Sequence, residues 1–114
     1  MRLFSGQREF LLQRLTALVM LAYLAAGALW LAFGPSVTFA QWQSWSAKPL
    51  AASALLALAL ALLAHAWVGI RDVVLDYVHP LRLRLAVLSG VAAGLAMLAI
   101  WVAMILIRHM VALA

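Results

Sequence analysis

The 114-residue chain contains no cysteine, three prolines and three acidic residues, and only 10% of its residues are charged. Without cysteine, the chain offers no disulfide, thiolate metal site or cysteine-ligated iron–sulfur cluster, so any redox centre must be held by His or Met or by a partner. A soluble domain is typically ~25% charged and ~45–50% apolar, whereas this chain is 69% apolar with a mean hydropathy of +1.13. An ordinary globular domain, a disordered tail and a low-complexity linker are all excluded. What remains is an integral membrane protein with almost nothing left over for a soluble domain.

Three uncharged runs stand out: Leu15–Phe33, Leu50–Ile70 and Leu85–Ile107, of 19, 21 and 23 residues. Each passes the ~18 residues that mark a transmembrane helix. They predict an all-α membrane protein, one domain over residues 1–114, with spans at about 12–33, 50–72 and 84–108. A secretory signal fits the first run poorly, because the apolar stretch is longer than an h-region and Thr38-Phe39-Ala40 is a weak cleavage site.

The formal charge of +5 would suggest nucleic-acid binding in a soluble protein. Here no basic stretch is interleaved with exposed aromatic and polar groups, so no nucleic-acid partner is expected. The basic residues sort by side instead. Arg2, Arg8, Arg14, Arg71, Arg82 and Arg84 fall on one side of the predicted spans, against Lys48 and Arg108 on the other. This asymmetry predicts a cytoplasmic N-terminus and second loop, with the C-terminus periplasmic.

In the first loop, Phe39, Trp42 and Trp45 recur every three residues, which predicts a short interfacial helix at about 38–46 with its rings on one side as an aromatic anchor. Span three carries Gly90-Val91-Ala92-Ala93-Gly94, a GxxxG element that permits close helix packing but says nothing of function.

The chemistry is concentrated in His65-Ala66-Trp67-Val68-Gly69-Ile70-Arg71-Asp72-Val73-Val74-Leu75-Asp76-Tyr77-Val78-His79-Pro80. His65 lies about 9 Å along the helix from the charged boundary at Arg71. An ionisable residue at that depth is costly unless paired, which marks it as functional by default. The structural alternative is a neutral imidazole hydrogen-bonded across the bundle. Ala57, Ala61 and Gly69 share its helix face, so little side-chain bulk surrounds it and a large planar ligand would have clearance. Neutral imidazole is a common axial ligand of haem iron. Neither His79, beside a proline, nor His109, beyond the far end of span three, is placed to be a second ligand, which would have to come from a partner.

Asp76 falls eleven residues after His65, only about 20° from three whole turns and ~16 Å further along the same face. Tyr77 is its neighbour, at the cytoplasmic edge. A tyrosine hydroxyl there can donate to a quinone carbonyl, and a nearby carboxylate can relay protons from water. Spacing alone equally allows an interfacial belt tyrosine, and an Asp76 paired with His79 or Arg82. Arg14, at the start of span one on that side, can meet a haem propionate or a lipid phosphate, or act simply as a topology anchor. Arg71, Asp72, Arg82 and Arg84 read mainly as topology and docking charges.

The segment resembles the second transmembrane helix of the small membrane anchor subunit, the D subunit, of succinate dehydrogenase (succinate:quinone oxidoreductase, complex II). The family pattern H-x-W-x-G-x-x-x-V-x-x-D-Y plus an aliphatic residue is met by His65, Trp67, Gly69, Val73, Asp76, Tyr77 and Val78. Arg14-Leu15-Thr16-Ala17, the three spans and the chain length extend the resemblance to nearly the whole sequence. It implies that His65 is one axial ligand of the iron of haem b, the other being a histidine of the companion C-type cytochrome b anchor subunit. It further implies that Tyr77 donates a hydrogen bond to ubiquinone with Asp76 beside it, and that Arg14 lies near the haem propionates. An iron–sulfur subunit and a flavoprotein subunit would complete the complex. Two departures are evident: Arg71 and Asp72 stand where relatives carry uncharged residues, and the short N-terminal extension lacks a histidine.

These readings converge on a non-catalytic, multi-pass anchor that supports electron transfer from succinate to quinone. The alternatives are the anchor of a fumarate reductase or menaquinone-linked relative, and a structural or assembly membrane protein without redox function. No transit-like presequence is present, which leads to the expectation of a bacterial inner membrane.

Overall fold

The computed structural model describes residues 5–113, so Arg2 lies outside the described residues. Four helices form: α1 (Ser5–Phe33), α2 (Phe39–Ser46), α3 (Pro49–Tyr77) and α4 (Leu81–Leu113). Three of them, α1, α3 and α4, are long and apolar enough to cross a membrane. At 1.5 Å per residue, the 29 residues of α3 extend about 43 Å, well beyond a ~30 Å hydrocarbon core. Long helices are the natural outcome in lipid, where every backbone amide must find its partner within its own segment.

Each break has a local cause. α1 stops at Gly34, whose amide donates to the Trp30 carbonyl at 2.7 Å. A Cβ on Gly34 would collide with that same carbonyl oxygen, so only glycine fits there. The next helix opens with a reciprocal cap: the Gln41 amide donates to Thr38 Oγ1 at 3.3 Å, and the Thr38 amide donates to Gln41 Oε1 at 3.0 Å. α3 begins with Pro49 in its first turn, where the missing N–H costs nothing. It ends at Val78, which has left helical geometry (φ −98°, ψ 99°), two residues before Pro80. Proline also disfavours helical geometry in the residue before it, His79. Its own carbonyl then accepts from the Arg84 amide at 2.9 Å and starts α4.

The central helix is α3, with α1 and α4 both packed against it. The buried side chains among the described residues are small: Thr16, Ser46, Ala51, Ala52, Val68 and Val74. Small residues let helices approach closely where lipid removes any hydrophobic drive for association. At the end opposite His65, the C-terminal part of α4 is joined to α2. His109 Nε2 lies 3.0 Å from the Gln43 carbonyl and 2.9 Å from Ser46 Oγ. A carbonyl only accepts, so His109 Nε2 carries the donated proton. The rings of Trp42 and Trp45 stand 5.2 Å apart and, like Phe39, are exposed. Gly90 and Gly94 have open space where a Cβ would stand, so among the described residues no other helix closes on these two glycines.

Candidate functional site

His65 projects from α3 toward α1, and two polar residues of α1 meet its ring. Thr16 Oγ1 lies 3.2 Å from His65 Nδ1, and Gln13 Nε2 lies 3.3 Å from His65 Nε2. Gln13 and Thr16 are three residues apart on α1 and so share a face. Thr16 Oγ1 also donates back along its helix, to the Leu12 carbonyl at 2.8 Å, with the Gln13 carbonyl at 3.1 Å. Gln13 Oε1 is buried without a hydrogen-bond partner among the described residues.

Helix periodicity brought Ala57, Ala61 and Gly69 to the histidine's face, but the space is not empty. The Gln13 amide occupies part of it: a Cβ on Gly69 would sit 3.8 Å from Gln13 Nε2. Reading α3 alone does not reveal this, because the filling side chain belongs to another helix. Gln13 and Thr16 had one available signal, two polar residues one turn apart where the first apolar run begins.

Arg14 is not brought to His65. At 100° per residue it lies about 160° around α1 from Thr16. Its guanidinium carbon sits 4.9 Å from the centre of the Phe10 ring, and the side chain is exposed. Asp76 and Tyr77 occupy the last turn of α3, both exposed, Tyr77 by 80%. Among the described residues, Asp76 forms no salt bridge with His79 or Arg82. The nearby Arg84 is engaged elsewhere, its Nε donating to the Val78 carbonyl at 2.9 Å.

Arg71 has a further contact that charge counting did not anticipate. Its guanidinium pairs with Glu9 of α1 at 2.6 Å, with Asp72 at 3.9 Å. The pair fastens the start of α1 to the end of α3 and supplies a half-buried arginine with a carboxylate of its own. Arg8, Arg71, Arg82 and Arg84 thus gather at the end that carries Asp76 and Tyr77, and Lys48 and Arg108 at the other.

Three long apolar helices with a part-buried polar cluster between two of them agree with the finding from sequence comparison. Residues 6–111 match the family of the succinate dehydrogenase/fumarate reductase transmembrane subunit. The chain belongs to this family. It is a multi-pass membrane anchor subunit of a succinate dehydrogenase/fumarate reductase complex. A transmembrane subunit of such a complex serves flavoprotein and iron–sulfur partners that carry the dicarboxylate chemistry.

Proposed function

We propose that this chain is the smaller, D-type anchor of a succinate:ubiquinone oxidoreductase in a bacterial inner membrane. In this reading it shares haem b with a C-type anchor subunit and contributes Asp76 and Tyr77 to the quinone site. The observation that carries the reading is His65, an intramembrane imidazole held between α1 and α3 in a chain of this family.

The residues present fit the group. Both ring nitrogens meet α1, Nδ1 the hydroxyl of Thr16 at 3.2 Å and Nε2 only the end of the Gln13 amide at 3.3 Å, and Gln13 Oε1 has no hydrogen-bond partner among the described residues. The adjacent helix face is alanine and glycine, leaving one flexible amide to move aside. Haem b, when bound, supplies a one-electron store within the membrane. Arg14, exposed at the same end, offers a cation to a propionate.

Quinone is the substrate. It takes up two electrons delivered by the iron–sulfur subunit and two protons to become quinol. Tyr77 Oη donates a hydrogen bond to a carbonyl oxygen of the headgroup, orienting it and favouring the negative charge that reduction places there. Asp76, exposed beside it, exchanges protons with cytoplasmic water. The 80% exposure of Tyr77 matches a pocket whose remaining walls come from partner subunits. The same residues would serve a menaquinone-linked fumarate reductase running in the opposite direction, and the matched family includes both enzymes.

The test is a complex isolated from native membranes through this chain in mild detergent. A reduced-minus-oxidised spectrum is expected to show a b-type α band, and an intact complex without it would remove the haem role. Tyr77→Phe is expected to lower quinone reduction about tenfold or more while the band persists. An unchanged turnover would remove the hydrogen-bond role.

A further inference from the structure

Thr16 has no role in the family resemblance beyond its place in a four-residue motif, yet it is one of the few buried polar residues, at 7% exposure, and touches the histidine ring directly. The protons around it can be assigned. Its hydroxyl has one hydrogen to give, and the 2.8 Å contact to the Leu12 carbonyl takes it, since a carbonyl only accepts. Towards His65 Nδ1 at 3.2 Å, Thr16 Oγ1 is therefore the acceptor, and Nδ1 must carry the ring proton. The other nitrogen, Nε2, is then a bare lone pair. Gln13 Nε2, an amide donor 3.3 Å away, faces it in agreement with that assignment. The two contacts describe one tautomer.

We infer that Thr16 is a positioning residue for His65, which accepts the Nδ1 proton so that the Nε2 lone pair is presented to a haem iron, with the Gln13 amide as its place-holder. This inference rests on the haem reading above and deepens it. A ligating histidine ordinarily donates its second N–H to a nearby acceptor, and this fixes the tautomer, orients the ring and makes the ligand more basic. Here the acceptor is supplied by an adjacent helix of the same chain. The Leu12 carbonyl fixes the hydroxyl's own orientation. α1 thereby prepares the ligand before a partner arrives. The orphaned Gln13 Oε1 marks the contact that gives way: this amide is only half satisfied on Nε2, so moving it aside removes little.

The experiment compares the wild-type complex with Thr16→Val, which keeps the branched shape but lacks an acceptor, and Thr16→Ser, which keeps it. Three readouts are taken on complexes purified through this chain: haem per complex after detergent washing, the midpoint potential of the b-type band, and subunit stoichiometry. Thr16→Val is expected to weaken haem retention by about tenfold or more and to raise the midpoint potential, because a less basic imidazole favours the oxidised iron less. Thr16→Ser is expected to restore both. If Thr16→Val does not assemble, Thr16→Ala against Thr16→Ser makes the same comparison. A Thr16→Val or Thr16→Ala complex with wild-type retention and potential overturns the positioning role and leaves His65 as a ligand. A wild-type complex with full subunit stoichiometry and no band overturns the haem reading and this inference with it.

Discussion

Removing the carboxylate from Glu9 isolates the ion pair that fastens α1 to α3. Arg71 and Glu9 approach to 2.6 Å, with side-chain exposures of 26% and 38%. With their charge centres about 4 Å apart at an effective dielectric near 20, the gross attraction is about 4 kcal/mol. At this exposure, solvent screening and the entropy of holding two long side chains reduce the net contribution to about 1 kcal/mol. Asp72, at 3.9 Å from the same guanidinium, retains some attraction when Glu9 is gone, so Glu9→Gln should not cost the full desolvation penalty of an unpaired arginine. The assay is thermal unfolding of the detergent-solubilised complex for Glu9→Gln, Arg71→Gln and the double variant. The expected coupling is about 0.5–1 kcal/mol, shrinking as salt is added. Single-variant effects that add to within about 0.3 kcal/mol would show that the contact contributes nothing, and the account of how a charged residue is tolerated at position 71 would fail.

His109→Ala removes the donor that reaches Gln43 and Ser46, at an expected cost of about 1–2 kcal/mol. Hydrogen exchange should quicken at the amides of α2 while α3 stays protected, and unchanged exchange in α2 would show that His109 does not hold it. Gly34→Ala drives a methyl into the Trp30 carbonyl oxygen and should destabilise the chain by about 1–3 kcal/mol. A thermal midpoint equal to wild type would mean that the α1 terminus relaxes freely.

The long helices were legible in the sequence because lipid allows few solutions: a run such as Leu85–Ile107 must satisfy its backbone internally, and a helix does so. The breaks were legible too, since Gly34-Pro35 and Pro80 stand between the runs. His65 was conspicuous as the lone ionisable residue within the middle apolar run, Leu50–Ile70. Its environment was not. Gln13 and Thr16 meet His65 across 52 and 49 residues of chain, and helix periodicity within α3 carries no information about which face of α1 lies opposite. The same limit hid the partner of Arg71. Charge counting sorts basic residues by side of the membrane, but pairing with Glu9 depends on how two helices pack. The GxxxG element marks a different limit: the motif is plain in sequence, yet Gly90 and Gly94 meet no other helix among the described residues. A packing motif advertises a permissive surface and is silent about what occupies it.

The interior of this protein is thin: among the described residues six small side chains are buried, and none of the large ones is fully enclosed. Small contacts between helices in lipid yield little free energy each, so a copy of this chain on its own holds its three helices together only weakly. Its folding equilibrium is therefore tied to the supply of its companions, as in other assemblies where stability depends on subunit concentration. Copies made in excess of their partners are the ones that come apart and reach membrane proteases first. Subunit balance in such a complex can thus be maintained by selective loss of orphans, without matched synthesis.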